Sequence, residues 1–476
     1  MTSTTLFWKY FDEICKVPRP SGNCSAIIKH IEQFAKTNNF DSSIDSAGNI
    51  VIRKPATIGM ESRPAIILQG HVDMVPQIAP GTIHDFTKDS IKYSEKDGKI
   101  FAQGTTLGAD NGVAVASMMA VLASTNIKHP ALECLFTVDE EIGMLGAFGL
   151  DSNALKGEVL LNLDSEEEGE LIVGCCGATR AECKFMYSKV SVPKGDAAYK
   201  ISIQNLKGGH SGLDIHLQRA NAIKCLSHFL KTLVRDFEAR VASIEGGTVC
   251  NAIPNEASAI ITIPAEGEDD LYGVAQEFQE IFENEYKLSD PEFELTVESV
   301  SLPEGLLPES VQDDIINAIV AVPNGVYRYS PTLKDVVETS SNLGSIHTKD
   351  NNIVLDFLFR STLDSMKGEV KSMIESIFLL AGASVRFWGN YDGWEPNMES
   401  EILKKAVKCY KYLYNVEPRV SIIHAGLECG IFSSIYPNLD MLSFGPTIKY
   451  PHSVNENLDI NSVERFWKLL VAILED

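Results

Sequence analysis

The chain has 476 residues, of which 44% are hydrophobic and 22% are charged, a balance typical of folded globular proteins rather than disordered ones. That length is too great for one compact core and predicts about two domains. The formal net charge of -24 argues against nucleic acid and anionic membrane surfaces as partners, because binding to them depends on Lys and Arg.

The N-terminal segment MTSTTLFWKYFDEIC has no basic stretch, no long apolar run and no small-residue cleavage site, so it does not resemble a signal peptide. No apolar run elsewhere is long enough to span a bilayer. We therefore expect a cytoplasmic protein whose ten cysteines are reduced.

The first third of the chain alternates apolar strand-like runs with a helical run. The predicted strands are AIILQGHVDMV (65–75), ALECLFTVDEE (131–141) and GEVLLNLDSEE (157–167), and the small apolar residues of 112–124 predict a helix. This order predicts an α/β fold with a twisted, mostly parallel sheet flanked by helices. Ligands bind such sheets at the carboxyl ends of the strands, where these runs carry acids or His.

The middle of the chain has a different pattern. Residues 197–212 and 258–266 alternate like half-buried antiparallel strands, with an amphipathic helix predicted at 221–239 between them. Near Trp394 the first pattern returns, with helices predicted at 401–414 and 461–475 and a strand at 441–448. We therefore expect a first domain made of 1–177 and 391–476, and an inserted α+β domain at 178–390.

His71 and Asp73 end the first apolar strand. Residues two apart on a strand point the same way, so Asp73 can fix the tautomer of a metal-binding His71; a capped strand end with a hydrogen-bonded His is the simpler alternative. Asp110 lies in a Gly-rich turn just before the predicted helix, where a carboxylate can be a cap or a metal ligand that bridges two ions.

Further acids follow the next two strands. Glu140 and Glu141 are adjacent and their side chains diverge, so one can bind metal while the other moves protons. Asp164 ends the third strand, and the acids at 166–168 are expected to form a solvated loop. His452, in a loop near the C-terminus, is a candidate last ligand.

Together these residues predict a metal site with nitrogen and oxygen ligands. That mixture suits Zn²⁺, and Mn²⁺ or Co²⁺ would also fit. A carboxylate shared by two ions about 3.5–4 Å apart is found in aminopeptidase-type hydrolases.

The order of these motifs resembles that of the M20 metallopeptidases. The strings LQGHVDMV, TTLGADNG, TVDEEIGMLGA, LNLDSEEEGE, GGHSG, NAIPNEA and HAGLECG are specifically similar to Xaa-His dipeptidases, also called cytosolic non-specific dipeptidases. The resemblance covers essentially the whole chain, and no motif position departs from it.

The resemblance implies a dinuclear centre, with two Zn²⁺ ions as the expected cofactors. Asp110 would bridge the ions, and Glu140 would be the general base. The other roles are implied in pairs, with His71 and Asp164 on one ion, Glu141 and His452 on the other, and Asp73 orienting His71. The resemblance also implies a cis peptide bond after Asp110.

The inserted domain would then be a lid and dimerisation domain, making the protein a homodimer. From it His210 would stabilise the oxyanion, while Asn251 and Arg360 would grip the carboxylate of the substrate. Glu428 and His424, in HAGLECG, are candidates for the substrate pocket.

The implied activity is hydrolysis of dipeptides, including Xaa-His dipeptides such as β-Ala-His. Two other M20 activities would use the same centre: deacylation of N-acyl amino acids and tripeptide aminopeptidase action. A metal-binding scaffold without catalysis is disfavoured, because both Glu140 and Glu141 are retained.

Overall fold

A computed structural model of the protein describes residues 4–476. The helices in this part of the chain are α1 (Thr5–Cys15), α2 (Ser25–Thr37), α3 (Ala109–Ala123), α4 (Leu145–Phe148), α5 (Ala222–Asp236), α6 (Glu268–Tyr286), α7 (Glu309–Ala321), α8 (Asp364–Leu380), α9 (Glu401–Tyr414), α10 (Glu428–Ile435) and α11 (Ile460–Glu475). Each of them is too short or too polar to cross a membrane.

The strands up to the middle of the chain are β1 (Asp41–Ile44), β2 (Ile50–Lys54), β3 (Ile66–His71), β4 (Tyr93–Lys96), β5 (Lys99–Ala102), β6 (Leu132–Thr137), β7 (Val159–Asn162), β8 (Glu170–Cys175), β9 (Gly177–Met186), β10 (Asp196–Gln204), β11 (Gly209–His210) and β12 (Arg240–Gly247). The later strands are β13 (Ala252–Ile253), β14 (Ala257–Pro264), β15 (Glu294–Val300), β16 (Gly325–Tyr329), β17 (Val337–Lys349), β18 (Asn352–Ser361), β19 (Ser384–Tyr391), β20 (Arg419–Ile423), β21 (Asp440–Ser443), β22 (Ile448–Lys449) and β23 (Asn457–Asp459).

The chain divides into two compact units. Unit 1 consists of the described residues up to Cys175 together with Trp394–Ile422 and Leu427–Asp476. Unit 2 consists of Cys176–Gly393 and a four-residue segment, Ile423–Gly426. The cysteines of both units are free thiols, as the sequence predicted.

Unit 1 is built on an eight-stranded sheet in the order β1-β2-β6-β3-β7-β21-β8-β20. The central strands β6, β3, β7 and β21 run parallel, whereas β1, β2 and β8 pair antiparallel. The predicted α/β fold is therefore confirmed for this unit. Because the parallel strands end at the same edge, residues that follow them are brought close together.

Helix α3 is the central helix of unit 1. Its run of small and apolar side chains is buried from Ala109 to Leu122, as expected for a helix that is apolar on all sides. It packs against β3, where Gly70 leaves room for the helix: a Cβ on Gly70 would lie only 2.3 Å from Ala114 Cβ. The strand that carries His71 thus lies directly against the helix that carries Asp110.

Unit 2 has a nine-stranded antiparallel sheet in the order β15-β10-β14-β12-β17-β18-β9-β19, with β16 beside β17. Helices α5, α6, α7 and α8 share one hydrophobic core with this sheet. The predicted helix at 221–239 corresponds to α5, which Asn221 caps by accepting from Ile223 N and Lys224 N.

We predict that Gly70→Ala destabilises unit 1. The added methyl overfills the contact with Ala114, and overpacking of this kind costs about 1–3 kcal/mol. Calorimetry should show a lower melting temperature. Gly368→Ala is the control, because Gly368 is exposed in α8 with open space around it, and Ala there should be neutral or stabilising. Equal shifts for both variants would contradict the packing argument.

Candidate metal centre and substrate-binding residues

Three neighbouring strands of unit 1 deliver predicted ligands to one edge of its sheet. His71 is the last residue of β3, Asp164 follows β7 by two residues, and Glu141 follows β6 by four. His71 Nε2 lies 3.4 Å from Asp164 Oδ1. The side chains of all three residues are buried, with at most 9% of each exposed.

Asp110, in the first turn of α3, lies between two histidines. Its Oδ1 is 3.1 Å from His71 Nε2, and its Oδ2 is 3.0 Å from His452 Nε2. The peptide bond from Asp110 to Asn111 is cis. Each carboxylate oxygen therefore faces a different histidine, which is the arrangement a bridging ligand requires.

His452 completes the cluster from the C-terminal segment. Its Nε2 is also 2.9 Å from Glu141 Oε1, and about half of its side chain is exposed. His71, Asp110 and Glu141 form a group whose ligand atoms lie within 4.8 Å of one another. The five residues predicted as ligands thus lie together in unit 1.

The donor atoms fit a cation. Atoms bound to one tetrahedral ion at about 2.0–2.1 Å lie about 3.3 Å apart, close to the 2.9–3.4 Å spacings here. Glu141 Oε1 is buried, and its close partner is His452 Nε2, 2.9 Å away. A metal ion would take both atoms as ligands.

The acids also attract positive charge onto the histidines. Hydrogen bonds to Asp110 and Glu141 raise the pKa of His452 to about 11. Burial alone would lower the pKa of His71, but the carboxylates of Asp164, Asp110 and Asp73 raise it well above its usual value. A bound metal ion would take the place of these protons.

Asp73 has a wider role than the sequence predicted. Its Oδ1 lies 3.4 Å from His71 Nδ1, consistent with a residue that orients the imidazole. The same carboxylate accepts from the backbone N–H of Glu140 at 3.1 Å and of Glu141 at 3.3 Å. Asp73 therefore fixes both the histidine and the turn that carries the two glutamates.

Glu140 lies beside the cluster without an ion pair to either histidine among the described residues. Burial raises the pKa of Glu140 well above its usual value, and the neighbouring acids Asp164, Glu141 and Glu428 add to this effect while His71 opposes it.

Glu428, in the first turn of α10, belongs to unit 1. Its Oε2 accepts from Gln69 Nε2 at 2.5 Å and from Thr137 Oγ1 at 2.7 Å, whereas its buried Oε1 has no hydrogen-bond partner within the described chain. Burial raises the pKa of Glu428 to about 7. Glu428 thus belongs to unit 1, whereas His210, Asn251 and Arg360 belong to unit 2.

The acids after Asp164 form a loop, as expected, but they are half-buried rather than fully solvated. Glu168 accepts from Tyr410 Oη at 2.9 Å and pairs with Arg465 Nε at 3.0 Å, and Glu167 pairs with Lys449. This run therefore ties the end of β7 to the C-terminal segment of unit 1, an interaction that its charge pattern did not indicate.

In unit 2, His210 lies on β11 opposite Ala252 of β13, and Asn251 immediately precedes β13. His210 Nδ1 accepts from the backbone N–H of Gly212 at 3.2 Å and of Leu213 at 2.9 Å. Because Nδ1 accepts two hydrogen bonds, the ring proton of the neutral side chain lies on Nε2, which is therefore a donor.

Arg360, on β18, lies close to the His210 loop. A Cβ on Gly212 would be 3.1 Å from Arg360 Nε, 3.1 Å from His210 Cε1 and 2.2 Å from His424 O, so glycine is required where these groups meet. Arg360 is only 6% exposed, and its Nη1 donates to Tyr391 Oη at 3.4 Å, whereas its Nε has no hydrogen-bond partner among the described residues. Within residues 4–476 no carboxylate pairs with it.

His424 is held inside unit 2. Its Nδ1 is 2.8 Å from Cys176 Sγ and its Nε2 is 2.7 Å from Ser340 Oγ. Burial, with a further contribution from the Arg360 charge, lowers the pKa of His424 to about 3, so the ring is neutral.

Two positions at the metal centre were missed by the sequence analysis. Arg19 and Glu456 are both 2% exposed and both contact the turn that precedes Asp110. Their contacts are with backbone groups, which leave no pattern in the side chains. The only available signal was position, since Glu456 follows His452 by four residues.

The sequence pattern of peptidase family M20/M25/M40 matches residues 67–476. The cytosol non-specific dipeptidase of Escherichia coli K12 is 43% identical to this chain over 469 residues, which cover 98% of this chain and 97% of that protein.

Solved structures give a consistent result. Aminoacylhistidine dipeptidase from Vibrio alginolyticus is 43% identical and superposes with a TM-score of 0.91, covering 99% of this chain and 97% of that one. A tripeptidase from Staphylococcus aureus, at 17% identity, superposes with a TM-score of 0.58 over 100% of this chain and 98% of that one, and shares the fold.

Proposed function

The chain belongs to peptidase family M20/M25/M40 and is a metallopeptidase, and from this premise we propose that it hydrolyses unblocked dipeptides, Xaa-His dipeptides such as β-Ala-His among them. The observation that carries the proposal is Asp110, whose two oxygens face His71 and His452 within a buried group of carboxylates. The similarity to a dipeptidase over 98% of the chain supports the same substrate class.

Two divalent ions would be held here, Zn²⁺ first, with Mn²⁺ or Co²⁺ as alternatives. Asp110 would bridge them, His71 and Asp164 would hold one, and Glu141 and His452 the other. When bound, such ions lower the pKa of a water molecule and polarise a carbonyl group. The short distances within each pair support this division of the ligands.

Glu140 is the proposed general base. Asp73 accepts from the backbone N–H of Glu140, next to Glu141, while the Glu140 side chain forms no ion pair with a histidine of residues 4–476. In this position Glu140 would accept a proton from the attacking water and return it to the leaving amine. Glu141 would then bind metal, and the adjacent Glu140 would transfer protons.

His210 is the proposed oxyanion donor. The backbone amides of Gly212 and Leu213 fix its tautomer so that Nε2 carries the proton. Because this N–H donor is already oriented, it needs no reorganisation when negative charge develops on the substrate carbonyl oxygen.

Arg360 and Asn251 are proposed to bind the substrate carboxylate. A buried guanidinium without an anionic partner is costly, and a substrate carboxylate would supply that partner through a bidentate contact. Asn251 is exposed, and its carbonyl accepts from Ser211 N at 2.8 Å, which ties it to the His210 loop.

Glu428 favours a dipeptidase over an N-acyl amino acid deacylase. We assign its unpartnered Oε1 to the free amino group of the substrate, because an ammonium group complements a buried carboxylate and an acylated nitrogen does not. Preference for a dipeptide over a tripeptide distinguishes the proposed activity from tripeptide aminopeptidase action.

We further propose that the enzyme is a cytoplasmic homodimer, with unit 2 as its lid and dimerisation domain. Leu213, Leu217 and Val249 support this: these large apolar side chains are 50%, 43% and 51% exposed near His210 and Asn251.

A substrate panel tests the function. We expect metal-free protein to be inactive, and added Zn²⁺, Mn²⁺ or Co²⁺ to restore hydrolysis of β-Ala-His and Gly-His, followed by amine release. N-acetyl-His and Gly-Gly-His should be poor substrates, because the first lacks a free amino group and the second is one residue longer. Faster turnover of either compound than of the dipeptides would replace this proposal with the corresponding alternative.

Substitution of Glu140 and of Glu141 should have different effects on metal content and turnover. Glu140→Gln should retain the metal content of the wild type but lose about 10²–10⁴-fold in kcat, the usual contribution of a general base. Glu141→Gln should lose metal, measured by plasma emission spectrometry after dialysis. Loss of metal in Glu140→Gln, or full metal in Glu141→Gln, would reverse the two assignments.

Arg360→Met should lower kcat/KM for free dipeptides about ten- to a hundredfold, because charge-assisted hydrogen bonds contribute about 1.5–3 kcal/mol. Metal content should not change. The loss should nearly vanish for substrates with an amidated C-terminus, which lack the charge that Arg360 binds. Arg386→Met, at an exposed site in unit 2, is the control. Equal losses on free and amidated substrates would exclude this role.

A further inference from the structure

The backbone of Gly108, just before the turn that carries Asp110, is held on both sides by buried side chains of opposite charge. Its N–H donates to Glu456 Oε2 at 2.8 Å, and its C=O accepts from Arg19 Nη2 at 2.5 Å. Gly108 has a φ of 68°, in the left-handed region. A Cβ there would lie 2.6 Å from Arg19 Nη2, so only glycine fits between the two charges.

Glu456 uses both carboxylate oxygens on the backbone. Oε2 also accepts from Leu107 N at 2.7 Å, and Oε1 accepts from Asp110 N at 3.2 Å. A carboxylate from the far end of the chain therefore caps the start of α3, where backbone N–H groups lack partners within the helix. It binds the backbone of the residue whose side chain faces both histidines.

Arg19 connects a second ligand segment to the same turn. Its Nη1 donates to Val72 O at 3.0 Å and to Asp73 O at 3.2 Å, immediately after His71. Within the described residues it forms no direct ion pair, although burial lowers its pKa and the nearby acids Glu456, Asp73 and Asp110 oppose that effect. Burying a cation that donates only to carbonyl groups costs free energy. We therefore infer that the position of Arg19 has a function.

We propose that Arg19 and Glu456 are a pair of positioning residues that set the bridging carboxylate of Asp110 relative to His71 and His452. They act through the backbone and touch neither metal nor substrate. The inference rests on the proposed function, in that Asp110 is taken as a metal ligand. Groups that orient metal ligands typically affect metal affinity or activity by about 10–100-fold when removed.

Zinc affinity tests the proposal without any substrate. Metal-free protein is titrated with Zn²⁺ in competition with a chromophoric chelator. Glu456→Gln offers one acceptor oxygen where glutamate has two, so one set of N–H groups loses its partner; we expect about 10–100-fold weaker zinc binding. Arg19→Met should behave similarly, and Arg19→Lys, which restores the charge, should recover part of the loss.

Glu133→Gln is the matched control. Glu133 is also a buried glutamate of unit 1 that accepts from two backbone N–H groups, those of Lys156 at 2.7 Å and Gly157 at 2.8 Å, and it pairs with Arg53. Glu133 lies at the start of β6, whereas the predicted ligand Glu141 lies beyond the end of that strand. This variant should melt at a lower temperature yet bind zinc as the wild type does.

Steady-state kinetics give the second measurement. For the Glu456 and Arg19 variants we expect kcat for Gly-His to fall while KM changes little. Wild-type zinc affinity in both Glu456→Gln and Arg19→Met would overturn the inference; if Glu456→Gln fails to fold, Arg19→Lys and Arg19→Met decide. A different outcome separates the two proposals. If the variants bind zinc weakly and the wild type cleaves no dipeptide, the positioning role holds and the proposed function is wrong.

Discussion

The site of unit 1 depends on holding several carboxylates together where they are largely shielded from water. Asp110 and Glu141 have ligand atoms within 4.8 Å of each other, and Asp164 lies 3.4 Å from the His71 ring nitrogen that also faces Asp110. Carboxylates this close repel strongly in a medium of low dielectric constant. Compensation comes from the ring nitrogens of His71 and His452 and from backbone N–H groups, and a bound metal ion would add to it. The parallel strands and the buried helix α3 keep these acids together despite their repulsion.

Local sequence patterns predicted the parts of this site that lie at the ends of regular elements. The apolar runs that became β3, β6 and β7 carry His71, Glu141 and Asp164 at or just beyond their ends, and sheet geometry brings such positions together. His452 is different, because it lies in a loop with a φ of 59°, where the sequence made it only a candidate ligand and the resemblance to a family implied which ion it would bind. Arg19 and Glu456 escaped notice because backbone groups are their partners, and every residue offers those.

Unit 2 shows a further limit of reading a sequence. His210, Arg360 and His424 lie on separate elements, and they meet around Gly212, a residue that looks unremarkable in the printed chain. The alternating strands and helix α5 were predictable, since each follows from a short periodic pattern. The contact among His210, Arg360 and His424 could not be predicted, because it depends on the register of the whole antiparallel sheet. The resemblance named His210 and Arg360 but could not supply the amides that fix the His210 tautomer.

The strand order of unit 1 has a consequence for how the protein is made on the ribosome. Strand β21 lies between β7 and β8, yet some 265 residues of chain, unit 2 among them, separate β8 from β21. While the nascent chain emerges, β7 and β8 have an unfilled place between them, whereas most of unit 2 is continuous and can fold as soon as it leaves the exit tunnel. His452 and Glu456 emerge after β21. A ribosome that stops early thus releases a folded inserted unit and an incomplete sheet with exposed strand edges, a species prone to aggregation and proteolysis.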